Sequence, residues 1–116
     1  MDAPEPPSRP NIVYVLADDV GPMGYQPWNP SSLLDTPRIN ALAQAGITFT
    51  AAYSDSSVCA PSRYAALSGN HAFRGTRPAG MWSLDDPSAF KPGQQTLADM
   101  LQATGYATYF VGKWHL

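Results

Sequence analysis

Ile12 to Ala17 are six consecutive apolar residues, and they stop at two adjacent carboxylates, Asp18 and Asp19. A β-branched run of this length predicts a strand, Asn11–Ala17, buried on both faces, as in a parallel sheet. Such a strand needs neighbours on both edges and helices above and below. The run is far shorter than the roughly 20 residues that span a bilayer, so it predicts no membrane span. Met1–Arg9 before it is acidic and Pro-rich, reads as a disordered leader, and has no apolar core of a signal peptide.

The rest of the chain supplies the helices. Thr36-Pro37 predicts a helix start, with Thr36 as N-cap and Pro37 in the first turn. Ile39, Leu42 and Ala43 share one face, and Gly46 is the expected stop. Ile47–Ala52 reads as a second strand and Ser54–Ala60 as a polar turn. Pro61 opens a helix that reaches about Leu67 and is stopped by Gly69. Asn70–Gly93 is Gly- and Pro-rich without periodicity, longer than loops usually are unless they serve a function. Thr96 to Asp99 resembles a capping box, and Leu97, Met100 and Leu101 form an apolar stripe ending at Gly105. Tyr106–Val111 reads as a third strand. Helices that follow strands twice over predict an α/β fold, a mostly parallel sheet flanked by helices.

Composition limits the functions open to such a fold. The 116 residues carry 7 Lys+Arg against 9 Asp+Glu, a net charge of -2. That balance, with no basic run, speaks against nucleic acid as a partner. The single cysteine, Cys59, rules out an intrachain disulfide, says nothing firm about compartment, and leaves localisation open.

Ligands of open α/β sheets sit beyond the carboxyl ends of the strands. Three chemically loaded segments fall there. Asp18 and Asp19 repel each other unless a cation or a donor compensates; a hard divalent cation would do so, and so would solvent at a loop cap. Cys59 lies next to a predicted helix start, which favours negative charge. Arg63 lies one turn further on and suits an anionic group, though an isolated Cys and Arg read equally as a small buried thiol and a surface ion pair. Lys113 and His115 alternate at a strand end, so on an extended backbone they point the same way. That pair suits an anionic substrate and its proton traffic, or merely a solvated strand end. Together the three segments point to metal-assisted hydrolysis of an anionic ester. His71, in the long irregular stretch, reads as a surface residue. Trp28, Trp82 and Trp114 read as packing or as walls.

Cys59-Ala-Pro-Ser-Arg63, continued by Tyr-Ala-Ala-Leu67-Ser-Gly69, resembles the sulfatase signature. Gly105 to His115 resembles the second sulfatase signature, and Pro10 to Asp19 looks like that family's first strand and metal pair. The three matches fall in order over Pro10 to Leu116. The resemblance implies an alkaline-phosphatase-like sulfatase fold, incomplete in this chain, with residues 10–116 as the N-terminal part of a catalytic domain. It implies a sulfuric ester hydrolase acting on a sulfate-ester small molecule or glycan. Cys59 would be oxidised to formylglycine by a formylglycine-generating enzyme that reads Cys59, Pro61 and Arg63. Asp18, Asp19 and modified Cys59 would hold Ca²⁺, or Mg²⁺. Arg63 would hold the formylglycine side chain, Lys113 the sulfate oxygens, and His115 would help eliminate sulfate and regenerate the aldehyde. The family takes further metal ligands and a further His and Lys from far downstream. The 116-residue chain alone is therefore expected to be inactive, with exposed apolar faces. A phosphonate or phosphate monoester hydrolase of the same superfamily, or a non-catalytic fragment, are the competing readings.

Overall fold

The computed structural model describes residues 9–77, 82–83 and 85–116. The expected disordered leader, Met1–Arg9, therefore lies almost wholly outside the described residues, as does the middle of the irregular Asn70–Gly93 stretch. Among the described residues the regular elements are three helices, α1 (Pro37–Ala45), α2 (Cys59–Ser68) and α3 (Leu97–Ala103), with short 3-10 turns at Pro22–Gly24 and Ala72–Arg74. Among the described residues, no helix is long and apolar enough to cross a membrane.

The expected parallel sheet is not formed among the described residues. Asn11–Ala17, Ile47–Ala52 and Tyr106–Val111 carry no strand pairing. The first and last of these are still aligned. Tyr106 Oη donates to the Pro10 carbonyl at 3.1 Å, and at the other end Lys113 Nζ reaches Asp18 Oδ2 at 2.9 Å. They run in the same direction, as parallel neighbours would, yet no backbone hydrogen bond joins them. A strand is stabilised only by a partner that takes up its N–H and C=O groups, and here the two segments are tied by side chains at their ends alone. Their apolar side chains stay in solvent: Val15 is 82% exposed and Val111 95%. The radius of gyration is 17.8 Å, against about 13 Å for a closed domain of this length.

α2 is the best-buried element. Tyr64, 1% exposed, meets Trp82 edge-on at 5.8 Å and Phe90 at 5.2 Å between ring centroids. Ala60, Ala72 and Ala89 close the cluster, with Phe90 and Leu116 packed against it. The Tyr64 hydroxyl accepts a hydrogen bond from Gln94 Nε2 at 2.8 Å, so its polar end is satisfied. This small aromatic core holds α2 rigidly and therefore fixes the two residues that α2 carries toward the site.

The helix ends show which local signals acted. α3 has the expected capping box: Thr96 Oγ1 accepts from Asp99 N at 3.3 Å, and Asp99 Oδ2 accepts from Thr96 N at 2.8 Å. Gly69 ends α2 at φ 65°, a left-handed conformation that suits glycine. α1 keeps its expected bounds, from Pro37 in the first turn to the stop at Gly46, but lacks the side-chain cap expected of Thr36. Thr36 makes no cap; its hydroxyl turns instead to Asn40 Oδ1 at 3.1 Å. Gly46 is not left-handed, and its N–H bonds to the Leu42 carbonyl. α1 has no buried residue, so its Ile39–Leu42–Ala43 face stays uncovered. α2 begins at Cys59 rather than at Pro61, which places Cys59 in the first turn itself.

These caps predict unequal costs. Thr96→Ala should lower stability by about 1 kcal/mol, the usual value of a lost N-cap, whereas Thr36→Ala should cost clearly less. Chemical denaturation of both variants checks this, and equal losses would contradict the capping assignment.

Candidate active site

Three segments far apart in sequence meet at one carboxylate. Arg63 Nη2 donates to Asp18 Oδ1 at 3.0 Å. Lys113 Nζ donates to both Asp18 oxygens, at 3.2 and 2.9 Å. Arg63 Nη1 also donates to the Lys113 carbonyl at 2.8 Å. Arg63 itself is buried, 8% exposed, because α2 sits against the aromatic core. Asp18 and Lys113 are partly open to solvent.

The electrostatics follow from this contact. Hydrogen bonds from Lys113, then from Arg63, hold the Asp18 carboxyl below the usual carboxylate range. The same bond to Asp18 pushes the Lys113 ammonium above its ordinary value. Both groups stay charged across the neutral range.

Asp18 and Arg63 form one side of an open cleft of about 360 Å³. Asp19, Ser56 and Cys59 line it too. Cys59 and Arg63 are four residues apart on α2, so they lie on one helix face. No side chain caps the start of α2, which leaves the partial positive charge of that helix end turned to the cleft. Arg63 Nε is buried and has no hydrogen-bond partner among the described residues. Asp19 adopts φ 56°, a left-handed conformation uncommon outside glycine. Backbone strain of this kind gathers at functional sites.

His115 departs from the expected arrangement. It too is left-handed, at φ 59°. That conformation breaks the extended alternation that would have set its ring beside the Lys113 side chain. His115 lines a second cavity, with Trp82, Trp114 and Arg77, rather than the Cys59 cleft. Asp18, Asp19, Cys59 and Arg63 are thus brought to one cleft, Lys113 is joined to it through Asp18, and His115 is not.

Sequence reasoning missed the serines of the cleft, although the Ser-rich run from Ser54 to Ser57 was visible. It also missed the pairing of Asp55 with His71 and Ala72. Asp55 Oδ2 accepts from Ala72 N at 2.9 Å, and Asp55 Oδ1 pairs with His71 Nδ1. This contact, the His71 bond foremost, lowers the Asp55 carboxyl below its usual range. His71, expected at the surface, is indeed exposed.

The fit to a metal ion divides between donor type and geometry. Two carboxylates beside one cleft are the donors a hard divalent cation takes. Among the described residues, however, no three His, Cys, Asp or Glu side chains converge on a metal-sized site. The oxygens of Asp18 are turned to Arg63 and Lys113 instead.

A cysteine at the start of a helix, two cations and a carboxylate pair thus meet at or beside one open cleft, a grouping that suits an anionic ligand. Comparison with known proteins narrows it. The sulfatase family profile matches residues 10–116. An N-acetylgalactosamine-6-O-sulfatase of Bacteroides thetaiotaomicron is 39% identical over 112 residues, covering 93% of this chain and 21% of the relative. Bovine arylsulfatase A is 38% identical over 110 residues, covering 94% of this chain and 21% of its own length. Human arylsulfatase D is 35% identical over 113 residues, 92% of this chain and 19% of the relative. No solved structure matches the chain significantly. The chain belongs to the sulfatase family, and it spans about a fifth of the length of these curated relatives.

The Asp18 contact predicts a pH window. A carboxyl held below its ordinary pKa contributes stability in full above about pH 4, lost as pH falls through the lowered value. Lys113, held above its ordinary value, contributes in full below about pH 10, lost as pH rises through the raised value. In an NMR titration, Lys113→Ala should move the Asp18 inflection up toward the ordinary carboxylate value. An inflection that stays put would show that Lys113 is not the chief cause.

Proposed function

We propose that this chain carries the nucleophile side of a sulfatase active site, for hydrolysis of sulfate esters. The observation that carries the reading is the shared Asp18 carboxylate, which sets Arg63 and Lys113 beside the cleft that holds Cys59. Family membership supports it, since the relatives named above are sulfatases.

Formylglycine made from Cys59 would, once hydrated, supply the hydroxyl nucleophile for sulfur. A divalent cation, Ca²⁺ or Mg²⁺, would supply positive charge for the sulfuryl oxygens; Asp18, Asp19 and modified Cys59 would hold it. Arg63 orients the side chain at position 59 from one turn along α2, and its unpartnered Nε is a donor for an oxygen there. Lys113 binds a sulfate oxygen and offsets charge that builds on the group in transit. The first turn of α2 adds its partial positive charge to the same end. His115 would help eliminate sulfate and regenerate the aldehyde, and it would have to reach the cleft from the second cavity to do so. A formylglycine-generating enzyme is the partner this chemistry requires, and Cys59, Pro61 and Arg63 match the pattern such an enzyme reads.

Intact mass after co-expression with a formylglycine-generating enzyme tests the assignment. The mass should fall by the difference between a thiol and an aldehyde, and Cys59→Ala should abolish the change. A persistent thiol in the unsubstituted chain would sink it. In the full-length protein, Cys59→Ala should reduce aryl sulfate turnover by at least about 10³-fold, as loss of a nucleophile usually does. Faster turnover of an aryl phosphate than of the aryl sulfate would favour the phosphate monoester reading.

A further inference from the structure

The wall of the cleft beside Cys59 is held from behind. Ser54, Ser56, Ser57 and Val58 line the cleft, whereas Asp55 reaches to the segment beyond α2. Its Oδ2 accepts from Ala72 N at 2.9 Å, and its Oδ1 pairs with His71 Nδ1. Both carboxylate oxygens are engaged, and the Asp55 side chain is 16% exposed against 63% for His71. A hydrogen bond to an ionised carboxylate is stronger than one to a neutral acceptor.

The far end of this hold is firm. Ala72 belongs to the aromatic core around Tyr64 and opens the Ala72–Arg74 turn. Gly75, just after that turn, lies so close to Tyr64 that a Cβ there would stand 3.1 Å from its ring. The His71 ring stacks on Phe73, 5.2 Å between centroids.

The near end is carried to Cys59 by the backbone. Ser54 Oγ donates to the Ser56 carbonyl at 2.8 Å, and Ser56 Oγ accepts from Val58 N at 3.1 Å. Val58 is the N-cap of α2 and supplies no side-chain cap. Its carbonyl accepts from Ser62 N at 3.1 Å, which closes the first turn over Cys59. An uncapped helix start leaves backbone N–H groups without partners and frays readily. What steadies this one is the turn that leads into it, and Asp55 pins that turn to a residue 17 positions later.

We infer that Asp55 is a positioning residue for Cys59: its carboxylate ties the chain entering α2 to the chain leaving it, and so fixes the first turn that carries Cys59 and Arg63 into the cleft. The inference rests on the proposed function for its effect on turnover alone. The hold on the first turn is independent of it.

Amide hydrogen exchange of the chain reads that hold. Asp55→Leu should speed exchange of the Val58 and Ser62 N–H groups about tenfold, the worth of one hydrogen bond. The Met100 N–H, bonded to Thr96 at the start of α3, should keep its rate. Asp55→Asn should restore slow exchange, because its amide accepts from Ala72 N and donates to His71 Nδ1. His71→Ala, an exposed change that keeps the fold even where Asp55→Leu does not, should speed the same two amides by a smaller factor. A speed-up shared equally by Met100 would mean general stabilisation and overturn the inference. Unchanged Val58 and Ser62 amides in Asp55→Leu and His71→Ala, or an Asp55→Asn variant as fast as Asp55→Leu, would do the same. In the full-length protein, Asp55→Leu should lower kcat for an aryl sulfate about tenfold with KM little changed, since only placement of the nucleophile is lost. Asp55→Asn should recover kcat, and a loss confined to KM would overturn the inference. Selective exchange in a protein that turns over no sulfate ester even unsubstituted would sink the sulfatase reading and leave the hold on Cys59 standing.

Discussion

One carboxylate organises this molecule. Asp18 receives hydrogen bonds from Arg63, 45 residues later, and from Lys113, 95 residues later. Arg63 closes the triangle by donating to the Lys113 carbonyl. The apolar segment before Asp18, helix α2 and the segment before Lys113 are thereby held together, although no β-ladder links them. Removing Asp18 would leave a buried guanidinium beside an ammonium with nothing to separate them, and two like charges in such proximity repel. The contact is structural and electrostatic at once: it draws the three segments together and holds both cations beside the cleft.

The aromatic core under α2 plays the complementary part. Tyr64, Trp82 and Phe90 lock α2 from below, so Cys59 and Arg63 are presented by a rigid element. Trp114 extends this packing through Phe90 to the segment that bears Lys113 and His115. The two cavities draw on different parts of this packed unit: Asp18 and Arg63 line the first cleft, and Trp82 and Trp114 line the second cavity.

Local chemistry was legible in the sequence where a residue acts on its near neighbours. Thr96 and Asp99 form their capping box, and Gly69 stops α2, because both depend on a few adjacent backbone groups. The spacing of Cys59 and Arg63 placed them on one helix face. The strands were not realised, because Asn11–Ala17 and Tyr106–Val111 can pair only with segments that the pattern of one run does not specify. His115 was misplaced for a different reason. Alternation assumes an extended backbone, and its left-handed φ, following Gly112 at φ 109°, turns the ring to the opposite side. The pairing of Arg77 with Asp86 was invisible because it joins two ordinary surface residues across a stretch without periodicity.

Under the proposed function, the charge balance of the cleft itself argues for a cation. Asp18 and Asp19 carry two negative charges, and Arg63 and Lys113 carry two positive ones. The site is therefore near neutral before an ester arrives, and a sulfate monoester brings a further negative charge. In a partly desolvated cleft that charge is not screened as it would be in water. A divalent cation beside the two carboxylates would return the balance to positive and release part of the attraction between Asp18 and Lys113. Lys113 would then be free to turn from the carboxylate to the sulfuryl oxygens. The contact that orders the chain would thus also be the one that a bound metal ion and substrate rearrange.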